Sequence, residues 1–445
     1  MSLKTFRDPH VSRWQSTVEE VLHRIEAPAS RPTLDHPVVA AAAATAARTV
    51  SAAGAEPAPA VPATAAMAAA GEHFECADLA FKLATARLEG RPAEEIQRLE
   101  DDLRFSTCDP LWAGAVTEYV KYFDVDKLQV PYRPAAGPDD PPPLPLAENA
   151  TVALIADWGT GTAEARALLE RVAAHKPDVV IHLGDVYYSG TEVENVKYLI
   201  DLCNEVLGRG ADRPLPIFNM TGNHDMYSGG AGFYSSIDQL NRPPFAQAGQ
   251  LQGNSFFCLR SPGWQILGMD TGLHDRDVFD VSTSMTWLED SELAWHKQKI
   301  ETAGGRRTIL LSHHQLFSAF SAIGKEGDRS ANTSLEAQLA GVLGKVDAWF
   351  WGHEHNLEIY GPYLGLERGR CIGCAAVPVF AEQNPYKSRV GDKIPYLPVE
   401  LGVTGEVYNH GYVILKLDDG TKTARVSYYQ DTDTGALLYE ETLGA

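Results

Sequence analysis

The fold of this chain is decided by residues 151–188, TVALIADWGTGTAEARALLERVAAHKPDVVIHLGDVYY. Two apolar runs rich in β-branched residues, 151–156 and 179–183, are typical of buried strands. The stretch between them, 162–175, is predicted to be a helix. A strand, a helix and a second strand in succession predict an α/β domain.

The same alternation continues toward the C-terminus. Further buried strands are predicted at 216–220, 308–311 and 347–351, and further helices at 193–207, 286–303 and 334–346. Hairpins are predicted from 255–259 with 264–269 and from 411–417 with 423–429. We therefore expect an α/β domain at 148–445, which the C-terminal strands at 405–445 complete.

The chain before this domain differs in composition. Residues 11–27 place apolar side chains at three- and four-residue intervals, and Ala-rich and charged stretches follow, so 1–130 is predicted to be a helical N-terminal region. It carries no catalytic motif, which favours a role in packing or in forming a homo-oligomer. Residues 131–147, PYRPAAGPDDPPPLPLA, are rich in proline and are predicted to be an extended linker.

Composition limits the partners and the location of the protein. With 445 residues, 44% of them hydrophobic, the chain can bury a core of its own, and wholesale disorder is excluded. Its 38 Lys and Arg against 59 Asp and Glu give a net charge of −21, which argues against nucleic acid as a partner. Because the longest strongly apolar run, 38–47, is short and the N-terminus resembles no signal peptide, we expect a cytoplasmic protein without a membrane partner.

Polar clusters follow five of the predicted strands, at the point where each strand ends. They are Asp157-Trp-Gly159, Gly184-Asp185-Val-Tyr-Tyr188, Gly222-Asn223-His224-Asp225, Ser312-His313-His314 and Gly352-His353-Glu-His355. Ligands of open α/β sheets bind outside the carboxyl ends of the strands. These loops are therefore predicted to converge on one crevice.

The residue types at these strand ends predict a metal site. Oxygen and imidazole ligands without a thiolate suit iron, zinc or manganese. The candidate ligands are too many for one ion, and two ions that share a carboxylate fit better. They are Asp157, Asp185, Tyr188, Asn223, His313, His353 and His355.

In their order along the chain, these motifs resemble those of the dinuclear metallophosphoesterase (calcineurin-like phosphoesterase) superfamily, and within it the purple acid phosphatase branch. The superfamily pattern is Asp-x-His, Gly-Asp, Gly-Asn-His-Asp/Glu, a later His and Gly-His-x-His, and all but one element is present. The resemblance spans Asp157 to His355. It implies an α/β/β/α sandwich of two mixed sheets flanked by helices.

The missing element is the first histidine, where this chain has Gly159. In return Tyr188 stands three residues after Asp185, as in the purple acid phosphatases. By resemblance, metal 1 is held by Asp157, Asp185, Tyr188 and His355. Metal 2 is held by Asp185, Asn223, His313 and His353, so that Asp185 bridges. His313 is preferred over His314 because the family's ligand directly follows the apolar strand.

The resemblance also implies an activity, the hydrolysis of small phosphate esters, most simply phosphomonoesters, by a hydroxide held between the two ions. A phenolate ligand favours a trivalent ion, so iron(III) with a divalent iron, zinc or manganese partner is expected. His224 and Asn223 are expected to face the substrate, with His224 protonating the leaving group or holding the phosphoryl group. Asp225 is expected to orient His224.

Two alternatives stay open at this point. A phosphodiesterase could use the same core, although the cyclic-nucleotide branch of the superfamily more naturally keeps the Asp-x-His that is missing here. A non-catalytic metal-binding scaffold is the other alternative, against which stands the presence of His224 and of every expected ligand.

Overall fold

Two β-sheets lie face to face, with helices on the outer side of each. The computed structural model describes residues 128–445, apart from 248, 277–283, 326, 328, 388, 432–434 and 445, together with isolated positions between 82 and 122. The chain divides into two units, Met1–Lys127 and Leu128–Ala445. The predicted helical N-terminal region, 1–130, lies almost wholly outside the described residues and stays a prediction.

The second unit contains all the strands named here. In chain order they are β1 (Leu144–Pro145), β2 (Thr151–Ile155), β3 (Val179–His182), β4 (Ile217–Asn219), β5 (Phe257–Arg260), β6 (Trp264–Gly268), β7 (Arg307–Leu311), β8 (Ala348–Trp351), β9 (Leu357–Tyr360), β10 (Gly369–Ile372), β11 (Tyr396–Leu397), β12 (Val403–Thr404), β13 (Val407–Tyr408), β14 (Gly411–Asp418), β15 (Thr423–Gln430) and β16 (Ala436–Leu443).

The helices lie between these strands. They are α1 (Ala163–Ala174), α2 (Glu192–Glu194), a π-helix (Asn195–Asp201), α3 (Leu202–Val206), α4 (Asn223–Met226), α5 (Ala231–Leu240), α6 (Asp290–Glu301) and α7 (Thr333–Leu339), with 3₁₀ turns at Leu343–Lys345 and Ala381–Gln383. Among the described residues, no helix combines the length and the apolarity needed to span a membrane.

Both large sheets are mixed. One has eight strands in the order β1-β5-β6-β7-β8-β10-β9-β11, and the other has six in the order β16-β15-β14-β2-β3-β4. Strands β2, β3 and β4 run parallel, as do β6, β7 and β8. The two predicted hairpins are present as β5–β6 and β14–β15, and β14 pairs with β2 and so joins the C-terminal strands to the domain.

Side chains alternate between two layers along the central strands. On β2, Val152 and Leu154 pack between the sheets, whereas Ala153 and Ile155 pack with the apolar face of α1. In the same way Leu310 of β7 belongs to the outer core formed with α6 and α7. This period of two gives each sheet a buried inner face and a helix-covered outer face. The prediction of an α/β/β/α sandwich of two mixed sheets flanked by helices is confirmed.

The proline-rich segment 131–147 is extended and lies against the domain. The Tyr132 hydroxyl donates to Glu292 at 3.2 Å, and Arg133 makes two hydrogen bonds of 2.8 Å to the carboxylate of Asp238. Further on, β1 pairs with β5. The segment is therefore held along its length by the second unit, of which it forms part.

Candidate metal centre

The loops after five strands meet at one edge of the sandwich. Three follow β2, β3 and β4 of the six-stranded sheet, and two follow β7 and β8 of the eight-stranded sheet. Each carries residues that the sequence singled out: Asp157 after β2, Asp185 after β3, Asn223 at the start of α4, His313 after β7, and His353 and His355 after β8. The contacts described below bring all six together.

A short backbone ladder joins the loops after β2 and β3. The Gly159 N–H donates to the carbonyl of Asp185 at 3.2 Å, and the Tyr187 N–H donates to the carbonyl of Gly159 at 2.9 Å. A Cβ at position 159 would lie 2.8 Å from the Asp185 carbonyl and 2.9 Å from the Cα of Val186. Position 159 therefore has no room for the histidine of the commoner motif.

Two other glycines let the aspartates approach the neighbouring loops. A Cβ on Gly222 would lie 2.0 Å from Asp185 Oδ1, and a Cβ on Gly352 would lie 2.5 Å from Asp157 Oδ2. The His353 N–H donates to the same Asp157 oxygen at 2.9 Å. Glycine is required at both positions because a side chain would push a carboxylate away from the crevice.

A first group of donor atoms surrounds the hydroxyl of Tyr187. This hydroxyl lies 3.0 Å from Asp185 Oδ2, 3.3 Å from Asp157 Oδ1 and 3.0 Å from His355 Nε2. The Tyr187 side chain is 1% exposed. Three of the four side chains predicted to hold metal 1 thus converge on one phenolic oxygen.

The identity of this tyrosine differs from the sequence-based expectation, which was Tyr188. The reason lies in the backbone, because the ladder with Gly159 holds residue 187 beside the loop that carries Asp157. Tyr188 is buried as well, and its backbone N–H donates to Glu194 at 2.5 Å. The structure therefore supplies a tyrosine hydroxyl where the sequence predicted one, but from the neighbouring residue.

A second group of donor atoms surrounds the side chain of Asn223. Its Oδ1 is 3.2 Å from His313 Nε2 and 3.1 Å from His353 Nδ1. His313 Nε2 is also 3.4 Å from Asp185 Oδ2, so Asp185 lies between the two groups. Because His313 Nδ1 donates to the carbonyl of Leu183 at 2.9 Å, its Nε2 is left to face the site, as is usual for a histidine that binds metal.

His314 lies next to this second group but is engaged on both ring nitrogens. Its Nδ1 lies 3.1 Å from the Thr271 hydroxyl and its Nε2 lies 2.9 Å from Asp275 Oδ2. The centre of its ring is 4.5 Å from that of His353. This arrangement favours His313 as the ligand, with His314 packed behind the ligand rings.

Four of the predicted ligands have a left-handed backbone. The φ angles are 56° at Asp157, 73° at Asp185, 70° at His353 and 50° at His355. Such φ values are uncommon outside glycine and cost of order 1–3 kcal/mol each. They turn the chain sharply at the strand ends and aim the side chains into the crevice, and strain of this kind concentrates at functional sites.

The buried carboxylates and imidazoles set each other's ionisation. Burial opposes the ionisation of Asp185, but the facing imidazoles of His313 and His224 hold its pKa well below the ordinary value. Burial alone would lower the pKa of His313, but Asp185 and Asp157 raise it to about 10. Burial and the same carboxylates keep the pKa of Tyr187 well above its ordinary value. A cation that enters the site must therefore displace protons.

His224 is held by the loop after β3. Its Nδ1 lies 2.6 Å from the carbonyl oxygen of Tyr188, and since a carbonyl only accepts, Nδ1 is the donor. The side chain is 2% exposed. Nε2 is therefore the nitrogen that can exchange a proton with a bound substrate.

Asp225 does not orient His224, contrary to our expectation. One oxygen of its carboxylate, Oδ2, accepts the backbone N–H groups of Asp185 at 2.9 Å and of Gly222 at 2.8 Å. Because residue 225 lies in the first turn of α4, its carboxylate faces back toward the loop after β3 rather than toward the preceding imidazole. Its role in this structure is to tie the loops after β3 and β4 together.

The donor set fits metal binding. One ligand atom from each of Asp157, Asp185 and His313 lies within 4.8 Å of the others, and the same holds for His313, His314 and His353. Buried carboxylates and imidazoles of this kind suit hard or borderline cations such as iron, zinc and manganese. The residues present therefore fit the binding of metal in this crevice, with His313 common to the two groups of atoms.

Comparison with known protein families identifies the type of domain that carries this site. Residues 150–357 match the family described as calcineurin-like phosphoesterase. This part of the chain is a calcineurin-like phosphoesterase domain. All the predicted ligands lie within the matched residues of the phosphoesterase domain. Metal-dependent hydrolysis of phosphoesters is the activity that this family implies.

Several solved structures are similar to the chain at low sequence identity. They include GAP50, the anchor in the inner membrane complex of Plasmodium, with 12% identity, a TM-score of 0.42 and coverage of 66% of this chain and 88% of that one. A dimetal phosphatase from Danio rerio has 13% identity, a TM-score of 0.42 and coverage of 67% and 99%. Vps29 from Chaetomium thermophilum has 11% identity, a TM-score of 0.27 and coverage of 66% and 97%. No curated protein matches the chain significantly.

Sequence reasoning missed two contributors to the phosphoesterase site. Tyr187 is not among the ligands that the sequence predicts, and only the backbone ladder with Gly159 reveals where its hydroxyl lies. Asp275, which binds His314, lies in a loop that is far from it along the chain. No local pattern marks that aspartate, so only the fold could find it.

Proposed function

We propose that this phosphoesterase domain hydrolyses small phosphate monoesters with two metal ions, as a purple acid phosphatase-like enzyme. The observation that carries the proposal is the convergence of the Tyr187 hydroxyl on Asp157, Asp185 and His355, beside a second group around Asn223. An oxygen donor at this place supports a tyrosine-ligated metal.

The proposed ligand sets follow the two groups of donor atoms. Metal 1 would be held by Asp157, Asp185, His355 and a tyrosine, and metal 2 by Asp185, Asn223, His313 and His353. The tyrosine is Tyr187 by its hydroxyl position and Tyr188 by sequence resemblance. A phenolate favours a trivalent ion, so we propose iron(III) in the first position and divalent iron, zinc or manganese in the second. Bound there, the ions would supply Lewis acidity for activating water and for holding phosphoryl oxygens.

The protein's own residues then divide the remaining work. Asp185 fixes the spacing of the two groups, since its oxygens reach the Tyr187 hydroxyl, His313 Nε2 and the His224 N–H. Burial of the carboxylates and imidazoles excludes bulk water from behind the reacting centre and strengthens every charge interaction there.

His224 is the proposed proton donor to the leaving group. Its Nδ1–H is fixed on the carbonyl of Tyr188, so only Nε2 can deliver a proton, and it can do so only from the imidazolium form. Burial lowers the pKa of His224 below its ordinary value, and the neighbouring Asp185 counters part of this shift by favouring the charged form. His224 next to Asn223 also places a donor beside the second group of ligands, where the phosphoryl group is expected.

A substrate screen tests this proposal. The purified protein would be stripped with a chelator, reloaded with defined metals, and assayed on nitrophenyl phosphate, an alkyl phosphate and bis(nitrophenyl) phosphate. Metal-dependent turnover with a preference for monoesters supports the proposal. A preference for the diester would favour the phosphodiesterase alternative, and metal binding without turnover of any ester would favour the non-catalytic scaffold.

A further inference from the structure

The loop that follows Asp185, residues 186–191, presents two functional groups to the metal centre. We call it the tyrosine loop. One group is the Tyr187 hydroxyl, which lies among the carboxylates, and the other is the Tyr188 carbonyl, which accepts the Nδ1–H of His224 at 2.6 Å. The position of both groups depends on the backbone of the tyrosine loop.

A single carboxylate, that of Glu194, holds this backbone. Its Oε1 accepts the N–H of Tyr188 at 2.5 Å. Its Oε2 accepts the N–H of Ser189 at 3.3 Å, and the N–H and the hydroxyl of Thr191 at 2.9 Å each. Hydrogen bonds to an ionised carboxylate are roughly twice as strong as neutral ones, so these four contacts fix the tyrosine loop firmly.

Helix capping explains only part of this arrangement. Thr191 and Glu194 form a reciprocal capping box at the start of α2, which accounts for the bonds between those two residues. The bonds to Tyr188 and Ser189 reach beyond the cap, into the part of the tyrosine loop that faces the metal centre. Glu194 thus does more than a cap requires.

The other side of the tyrosine loop is held as well. The side-chain amide of Asn195 donates to the carbonyl oxygens of Gly190 at 3.0 Å and Thr191 at 3.2 Å. A Cβ on Gly190 would lie 2.5 Å from the Cα of Asp225, so the tyrosine loop packs directly on α4, which carries Asn223 and His224. With its carbonyl side fixed by Asn195, the loop depends on Glu194 for the N–H side that includes Tyr188.

We propose that Glu194 is a positioning residue for the reaction: by gathering the N–H groups of Tyr188, Ser189 and Thr191, it sets the Tyr188 carbonyl that orients His224. Without the carboxylate, the peptide group that joins Tyr188 to Ser189 can rotate. The Tyr188 carbonyl then turns away from His224, which loses the acceptor that keeps its Nε2 toward the substrate. The kinetic part of this inference rests on the proposed function, whereas the orientation of His224 does not.

The first test is spectroscopic and needs no activity. In ¹⁵N-histidine-labelled protein, the Nδ1–H proton of His224 is assigned by its loss in His224→Ala. In Glu194→Ala we expect this resonance to exchange with water about tenfold faster or more, because its hydrogen bond opens. The matched control is Glu192→Ala on the same short helix, where the carboxylate is exposed and accepts only from Ser235 among the contacts seen. In this control the resonance should be unchanged.

The second test is kinetic. Loss of an oriented proton donor hurts esters with poor leaving groups most, and general acid catalysis is worth about 10²–10⁴ in rate. We therefore expect Glu194→Ala to lower kcat/KM at least about 10-fold more for an alkyl phosphate than for nitrophenyl phosphate, with both metal ions retained. Glu194→Gln keeps one acceptor oxygen and should lie between the alanine variant and the wild type; it also serves if the alanine variant does not fold.

The outcomes separate the two proposals. If wild-type protein hydrolyses no phosphate ester, the proposed function fails, and the His224 resonance still decides the role of Glu194. If Glu194→Ala lowers Tm but leaves both the His224 resonance and the ratio of the two esters unchanged, Glu194 is a helix cap only and the inference is overturned. The inference is also overturned if Glu192→Ala changes the resonance or the ratio as strongly as Glu194→Ala does.

Discussion

The substitution Tyr187→Phe tests the central geometric observation. The hydroxyl it removes is buried and lies within 3.3 Å of two carboxylates and one imidazole. Without metal, the loss leaves buried carboxylate oxygens without their donor, which costs about 1–3 kcal/mol, a Tm decrease of a few degrees. With metal bound, removing a residue that only hydrogen-bonds to the ligands lowers metal affinity about 10–100-fold. If Tyr187 is itself a ligand, its replacement also abolishes the visible absorption of tyrosinate on iron(III).

Tyr188→Phe is the matched control, because it keeps the backbone bonds of Tyr188 to Glu194 and His224. Both variants would be reconstituted with iron and compared by absorption spectroscopy and by metal titration. We expect the visible band in the wild type and in Tyr188→Phe, and its loss in Tyr187→Phe. If Tyr188→Phe loses the band and Tyr187→Phe keeps it, our placement of the phenolic oxygen does not describe the metal-loaded protein. If the iron-loaded wild type shows no band, no tyrosine is a ligand.

Four other expectations follow from the same contacts. His224→Ala should slow alkyl phosphate hydrolysis by about 10²–10⁴-fold and nitrophenyl phosphate hydrolysis much less, and equal losses would contradict its role as proton donor. Asp185→Ala should lose both ions together with turnover, as measured by elemental analysis, and retention of two ions would contradict the bridging assignment. In chelator-treated protein, the raised pKa of His313 contributes stability that is present below pH 6.5 and is lost as the pH rises to about 10. Across that pH range, Tm should therefore fall and metal affinity should rise. A flat Tm profile would count against the His313–Asp185 pair. Deleting residues 1–127 should leave the metal centre intact. Deleting residues 1–146 also removes β1 and the Tyr132–Glu292 hydrogen bond, and should therefore lower Tm. Equal Tm values for the two deletions would show that segment 131–147 contributes little to stability.

Much of the fold could be predicted from the sequence because its signals are local. The strands at 151–156 and 308–311 are continuous apolar runs, as expected for strands buried on both faces, and the helices between them follow from the alternation. The division of those strands between two sheets could not be derived from the runs themselves. That division depends on which strands pair although they are far apart in the sequence, as β14 and β2 do.

The candidate ligands could be singled out from the sequence for a different reason. They are marked by sequence motifs, and each motif stands directly after a strand, so that finding the strand also locates the ligand. Tyr187 and Tyr188 show where this reasoning stops, because the spacing from Asp185 indicates Tyr188, whereas the hydroxyl that lies among the carboxylates is that of Tyr187. The Tyr187 hydroxyl is placed there by the backbone ladder to Gly159, a contact between two loops that no spacing rule describes.

Only part of the role of Glu194 could be predicted from the sequence. Thr191-Glu192-Val193-Glu194 is a capping-box sequence, so the residue could be predicted to begin a helix. Its bonds to Tyr188 and Ser189 could not, because they depend on the path of the tyrosine loop over α4.

The left-handed backbone of four predicted ligands limits which residues can stand at these positions. Asp157, Asp185, His353 and His355 must supply a donor atom and also tolerate a positive φ. Asp and His are among the residues enriched several-fold in that region, whereas β-branched and bulky residues are outliers there. Glycine would relieve the strain but would remove the donor atom. The same sharp turns that cause the strain aim the four predicted ligands into one crevice, and a bound cation, by favouring the folded state, would offset the cost of that strain.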